Sequence, residues 1–179
     1  MPSEITIRAY EPGDRDAVWL LMLRTPMPDG TMPTSVDIPP ELADIAANFA
    51  AFWVALDAAG SIIGTVGLQD IGRHPAAVPL PPFLEVSGAT ARLRRLDVDP
   101  AHQRKGIGRR LTQAAIDWAG GAGYQRIVLD TTTLQLPAIA LYESMGFRRA
   151  GQTRYQQWDL LWFELALAPK SPLPREGEG

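Results

Sequence analysis

The apolar positions change period several times along the chain, and each change marks an element. From Glu4 to Tyr10 polar and apolar residues alternate, the period-two pattern of a strand. Glu11-Pro12-Gly13-Asp14 predicts a turn. Asp14 is placed to cap a helix over about 15–23 that turns Val18, Leu21 and Met22 inward. Residues 25–40 are proline-rich and predict a loop. Pro39-Pro40-Glu41 then opens a second helix to about Ala50, because proline suits a first helical turn. Residues 52–56 and 61–69 read as a hairpin turning at Asp57-Ala58-Ala59-Gly60. Residues 72–82 carry Gly72, His74, Pro75, Pro79, Pro81 and Pro82, the composition of a long loop, and such loops are often functional.

Residues 89–98 read as a strand closed by Asp99-Pro100. Between Gly106 and Ala119, residues Ile107, Leu111, Ala114, Ala115 and Trp118 recur at helical spacing, and Gly120-Gly121-Ala122-Gly123 stops that helix. A strand over 126–131, a helix over 137–145 with Gly146 after it, and two strands over 148–167 complete the chain. The strand–helix–strand units imply parallel pairing, and the meander over 52–98 implies antiparallel pairing. The order predicts an α/β (mixed α+β) fold: one domain over 1–168, with about seven strands in a mixed, mostly antiparallel sheet flanked by four helices. Residues 169–179 are polar and rich in proline and glycine, which predicts a disordered tail.

Composition narrows the function. The 179 residues are 46% hydrophobic, enough for a core without staples. A net charge of -3 gives no reason to expect nucleic acid as a partner. No cysteine occurs, which excludes a thiolate nucleophile, a cysteine-ligated zinc site and disulfides. The two histidines, His74 and His102, lack an acidic cluster, so no metal site is expected. No Gly-x-Ser-x-Gly occurs to support a serine hydrolase. Neither a signal peptide nor a membrane span is read, and a cytoplasmic location is the default expectation.

One segment stands out chemically. The strand ending in Asp99-Pro100 leads through Gln103-Arg104-Lys105-Gly106-Ile107-Gly108 into an amphipathic helix. The first N–H groups of a helix lack intrahelical partners and sit at the positive end of its dipole. Glycines let that backbone approach a phosphate closely. Residues 92–110 hold seven Arg or Lys against two Asp, a local excess of positive charge in a mildly acidic chain. The turn is not a P-loop, since no Gly-Lys-Ser/Thr follows, and Leu111 stands where a dinucleotide fingerprint needs its third glycine. On these residues alone, a phosphate site and a solvated basic helix end remain alternatives.

The segment from Leu93 to Phe147 resembles the GNAT superfamily of acyl-CoA-dependent N-acyltransferases. Three stretches carry the likeness: Leu96-Asp97-Val98-Asp99-Pro100, the 103–108 turn, and Ala138-Ile139-Ala140-Leu141-Tyr142-Glu143-Ser144-Met145-Gly146-Phe147. The segment covers about a third of the chain. The resemblance implies acetyl-CoA as co-substrate and no metal. It implies that backbone groups of Leu96, Asp97 and Val98 hold the pantetheine arm. Main-chain amides of Arg104, Lys105, Gly106, Ile107, Gly108 and Arg109 would then hold the pyrophosphate. Gln135 stands where relatives carry an Asn near the cofactor. Tyr142 is implied as the acid that protonates the departing thiolate, against the plainer reading of a core aromatic.

The amine needs a base, since an alkylammonium has a pKa near ~10. Relatives often place a Glu four residues before the position of Leu96; here Arg92 stands there, and Arg94 shares its strand face by period two. Asp130 is the substitute base, with ordered water as an alternative and Asp97 and Glu85 as weaker candidates. Arg92 and Arg94 suggest an acceptor bearing an anionic group. The implied reaction is acetyl transfer to a primary amine of a small molecule or peptide. Trp158 and Trp162 lie where relatives form either dimer contacts or acceptor walls, so a homodimer is one expectation. A non-catalytic acyl-CoA sensor and a nucleotide- or phosphate-binding protein are the alternatives.

Overall fold

A computed structural model describes residues 4–168; the expected tail over 169–179 lies outside the described residues. Seven strands form one sheet: β1 (Thr6–Ala9), β2 (Ala51–Leu56), β3 (Ile62–Asp70), β4 (Thr90–Val98), β5 (Arg126–Thr132), β6 (Arg148–Tyr155) and β7 (Trp158–Ala166). Their spatial order is β1-β2-β3-β4-β5-β7-β6. Only β4 and β5 pair in parallel; every other neighbour is antiparallel. The helices are α1 (Arg15–Leu23), α2 (Pro40–Ala43), α3 (Ile45–Asn48), α4 (Ile107–Gly121) and α5 (Leu136–Ser144).

The mixed sheet is as expected, but five helices flank it where four were predicted. The single helix expected to run from Pro40 to about Ala50 breaks at Asp44, which leaves helical geometry at φ -138°, ψ 83°. The Asp44 carboxylate accepts the Ala47 amide and so caps α3 from inside the expected helix. Short acidic side chains compete with the helix for backbone amides in this way.

Residues alternate between the two faces of the sheet, and each face has its own cover. On one face Trp53, Ala55, Ile127, Leu129, Leu161 and Phe163 meet α4 and α5 in the main core, which includes Leu111, Ala115, Ile139 and Tyr142. On the other face Phe52, Val54 and Ile62 meet α1, α2 and α3 through Val18, Leu21, Leu42 and Ile45. Farther along that second face no helix lies over the sheet. Residues 71–89 cover it instead, with Leu84 packed on Val128 and Trp162 and flanked by Val78 and Leu80. The proline-rich segment is thus an irregular but packed layer.

Two irregularities open the middle of the sheet. The β3–β4 register moves from Gly67↔Arg94 to Thr65↔Asp97, so β4 carries one extra residue, a β-bulge. Arg95 absorbs it at φ 57°. The Thr65 hydroxyl donates to the Arg95 carbonyl at 2.8 Å, satisfying the peptide that the bulge removes from the ladder. The second irregularity is the parallel pair itself. β4 and β5 pair only over Thr90–Arg92 and Arg126–Val128, and beyond that the strands carry no ladder between them. The β4 backbone past Arg92 therefore faces a gap.

Candidate active site

The gap is bordered on one side by the start of α4. Gly106 takes the left-handed conformation at φ 76°, and Arg104 does so at φ 64°. These two reversals turn the chain from the short 3-10 turn Pro100–His102 into the helix. The Arg110 amide is the first to bond back, to the Gly106 carbonyl at 3.1 Å. The six main-chain amides from Arg104 to Arg109 donate to no group among the described residues. Helix N-termini leave such donors for an outside acceptor, and the dipole favours an anion there. The space above Gly106 is open, whereas a Cβ on Gly108 would lie 3.4 Å from Leu141 and 3.9 Å from Val98. The helix start thus lies within contact distance of both β4 and α5.

The turn is held from outside. Asp99 accepts from the Ala101 amide and from Arg24 Nε at 2.7 Å, and Arg24 also donates to the Ile62 carbonyl. Arg109 reaches across to the Ser144 hydroxyl at 2.6 Å, tying the start of α4 to the end of α5. Leu96 and Val98 pack against the main core, and since β3 takes one edge of β4, their other backbone edge faces the gap. Gln135 caps the turn before α5: its Oε1 accepts from the Thr131 hydroxyl at 2.6 Å and the Thr132 amide at 3.3 Å.

Tyr142 comes from the inner face of α5. Its ring is 5% exposed and packs at 5.6 Å on Phe147 and 5.9 Å on Phe163. The hydroxyl has no hydrogen-bond partner among the described residues. Burial, then the nearby charges of Asp97 and Asp130, push its pKa well above the ordinary value of a tyrosine. It therefore stays protonated at any working pH. Asp97 is partly open to solvent yet ringed by protein atoms, and burial raises its carboxyl above the usual carboxylate range against a smaller opposing pull from Arg95.

The other face of the gap is a network of charged side chains. Arg92 is 2% exposed. It donates through Nη2 to Asp130 Oδ1 at 2.6 Å and through Nη1 to the Val78 carbonyl at 2.8 Å. Its guanidinium lies over the Trp162 ring at 5.2 Å. Arg94 and Arg95, brought to one side by the bulge, both bind the carboxylate of Glu41 at the start of α2. The two arginines expected to attract an anionic acceptor are thus each matched by an internal carboxylate. Glu85 lies on the surface beside Arg126, at the opposite end of β5 from Asp130.

The structure brings Leu96, Asp97, Val98, the 104–109 amides, Tyr142 and Asp130 to the same opening in the sheet. Sequence reasoning missed Glu41, Arg24, Gln69 and Thr65. Glu41 and Gln69 belong to an otherwise ordinary helix start and strand, and their partners lie 53 and 21 residues away. No local pattern signals either. Among the described residues no cluster of three or more histidine, aspartate or glutamate residues suits a metal ion. No helix among them is long and apolar enough to cross a membrane.

The sheet is parted between two parallel strands, and a helix start presents free amides at the opening. The family model described as Acetyltransferase (GNAT) family matches residues 19–147, and the chain belongs to that family. It is similar to N-acetyltransferase 8 of Homo sapiens, 33% identical over 128 residues, which are 66% of this chain and 49% of that protein. N-acetyltransferase family 8 member 3 of Rattus norvegicus is 32% identical over 68% of this chain and 51% of its own length. The chain spans about half the length of these curated relatives. The fold is shared with a GNAT-family acetyltransferase from Staphylococcus aureus Mu50, with a TM-score of 0.72, 20% identity, and coverage of 92% of this chain and 100% of that one. It is also shared with the ribosomal-protein-S18-alanine N-acetyltransferase of Escherichia coli, with a TM-score of 0.68, 23% identity, and coverage of 94% and 97%. The yncA protein of Salmonella typhimurium, solved with its cofactor acetyl-CoA, gives a TM-score of 0.67 at 22% identity over 97% of this chain and 99% of its own.

Proposed function

We propose that this chain transfers an acetyl group from acetyl-CoA directly to a primary amine. The observation that carries the reading is the run of unpartnered amides from Arg104 to Arg109 at the opening between β4 and β5. Those amides suit a pyrophosphate, with Arg104, Lys105 and Arg109 supplying positive charge around it. The free backbone edge of Leu96, Asp97 and Val98 suits the amide-bearing pantetheine arm, and the Gln135 side-chain amide lies at the α5 end of the same opening.

The amine nitrogen attacks the thioester carbonyl carbon, the C–S bond breaks, and the sulfur leaves as a thiolate. Tyr142 gives its proton to that sulfur as the C–S bond breaks and takes one back from water at the opening; its raised pKa keeps it protonated beforehand. Backbone N–H groups of β4 stabilise the carbonyl oxygen as charge develops on it. The proton lost by the amine goes to Asp130, directly or through water. One Asp130 oxygen is held by Arg92, which leaves Oδ2 without a hydrogen bond among the described residues. A cytoplasmic setting and a small-molecule or peptide amine as acceptor fit this chemistry.

Incubating the chain with acetyl-CoA and a panel of primary amines, and reading free CoA together with the acetylated product, tests the reading. Product that depends on Tyr142 supports it. A folded chain that binds acetyl-CoA and acetylates no amine in a broad panel overturns the catalytic assignment.

A further inference from the structure

At the end of the sheet away from the opening lies an open cavity of about 580 Å³. Ala89 and Tyr124, just before β4 and β5 begin, form part of its wall, with the turn after β3 and the last turn of α4. Eight residues of chain separate Ala89 from Asp97 at the opening, roughly 25 Å at the rise of a strand. The polar side chains here are unequally provided for. Both oxygens of the Asp70 carboxylate are engaged: Oδ1 accepts the Gly72 amide at 2.9 Å and Oδ2 accepts the Tyr124 hydroxyl at 2.8 Å. The Arg73 guanidinium, by contrast, makes no hydrogen bond or ion pair among the described residues. It stands close enough for its charge to act on two other lining side chains, His74 and Tyr124. His74 Nδ1 accepts the Asp70 amide at 2.9 Å, so the neutral ring carries its proton on Nε2, a further donor without a partner.

The apolar wall is aromatic. Trp118 lies on the apolar stripe of α4 and is nonetheless 36% exposed. Its ring is braced edge-on by Trp53 at 5.9 Å and lies at 33° to Tyr124 at 6.0 Å. Five alanines line much of the remainder, and their short side chains leave room for a flat body beside these rings. Aromatic faces gain from stacking on a second ring. Charge then selects the class of occupant. A cation would meet the free Arg73 guanidinium and an Asp70 whose oxygens are already bonded. An anion finds an unpaired guanidinium, which binds carboxylates through its planar fork of donors. One free cation matches one negative charge, and the neighbouring Asp70 penalises a second, which favours a carboxylate over a phosphate. The volume falls within the roughly 300–1,000 Å³ of small-molecule sites.

We propose that this cavity is a second ligand site, for an aromatic carboxylate whose ring lies against Trp118 and Tyr124 and whose anion pairs with Arg73. The site is separate from the opening between β4 and β5, so it takes its ligand whether or not acetyl-CoA is bound. Nothing in it depends on the acetyltransferase reading, and its chemistry can be measured without turnover.

The test is calorimetric titration of the full chain with 2-naphthylacetate, its neutral counterpart 2-naphthylacetamide, and acetate. The naphthyl acid is expected to bind saturably and about tenfold more tightly than the amide, the yield of one charge-assisted hydrogen bond at a half-open site. Acetate, with the charge but no ring, should not saturate. Arg73 is exposed in a turn, so Arg73→Gln keeps the fold. That variant should erase the preference for the acid and leave the amide's affinity where it was. Trp118→Leu, checked for folding by thermal unfolding, should weaken acid and amide alike. Repeating the titration at saturating acetyl-CoA should leave the acid's affinity unchanged. No binding of the acid, equal binding of acid and amide, or a preference that survives Arg73→Gln overturns the site. Displacement of the acid by acetyl-CoA overturns it too, since the ligand would then lie in the opening.

Discussion

The two sides of the opening are built on different principles. Toward α4 and α5 the groups at the opening are unpartnered main-chain amides, placed by two left-handed residues and a glycine over six consecutive positions. Toward the 71–89 layer they are side chains, paired across 38 to 54 residues of sequence: Arg92 with Asp130, and Arg94 and Arg95 with Glu41. A backbone cradle tolerates changes in most side chains because its donors are common to all residues. A network of buried ion pairs tolerates almost none, since removing one partner strands the other's charge. The first kind suits a ligand shared by a whole family, and the second suits an acceptor particular to this chain.

The sharpest way to break the contrast is at Tyr142, which faces both sides. Tyr142→Phe keeps the ring contacts with Phe147 and Phe163 and removes only the acid. It should lower kcat by about 10²–10⁴-fold, the usual range for general acid catalysis, and leave acetyl-CoA affinity unchanged. Steady-state kinetics paired with calorimetry checks both parts. A fall in affinity that matches the fall in rate would make Tyr142 a packing residue only.

Next in size is the Arg92–Asp130 pair. Arg92→Met leaves Asp130 facing Trp162 without its cation, and breaking such a pair costs about 3–5 kcal/mol. Denaturant unfolding should show that loss, while a surface variant such as Arg154→Met, whose partner Asp159 is half exposed, should cost under about 1 kcal/mol. If the two variants cost the same, the charged side of the opening is no more demanding than the surface.

The pH dependence separates the sides more gently. Burial raises the Asp97 carboxyl above its ordinary value of 3.8, so the folded state prefers it protonated. Ionised Asp97 then costs stability, a cost that grows as pH rises from the unfolded value through the folded one. Asp97→Asn should therefore raise Tm at pH 7 and change nothing near pH 3. His74 gives the smallest effect, with the opposite dependence. Burial lowers its pKa below 6.5, so its contribution is full above that pH and is lost as pH falls toward the folded value. Thermal scans of His74→Gln should show a flatter Tm between pH 7 and 5 than the parent chain.

The same contrast explains what was legible in the sequence. The seven strands, α1, α4 and α5 follow from period and turn chemistry, because each is decided by residues a few positions apart. The helix start with open amides at 104–109 was legible for the same reason: its glycines, its basic residues and its helix lie in one contiguous run. The break of the expected helix at Asp44 was only half visible, since an aspartate can point outward or cap, and here it caps. The bulge at Arg95 and the pairing of Arg94 with Glu41 were not visible at all. Both depend on strand register and on packing of distant segments, which no local pattern encodes. Residues 71–89 lack any period, so their role as the cover of one sheet face emerges only from the packed position of Leu84 on Val128 and Trp162.

The central claim is that the amides from Arg104 to Arg109 hold acetyl-CoA. Calorimetric titration with acetyl-CoA, comparing the parent chain with Gly108→Val, tests it most directly. A Cβ there would already touch Leu141 and Val98, so the branched carbons of valine extend from a filled position into the opening beside the amides. The account predicts saturable binding by the parent chain and a loss of about a hundredfold in the variant, the equivalent of two charge-assisted hydrogen bonds. A folded parent chain that fails to bind acetyl-CoA, or a variant that binds it equally well, would contradict the account.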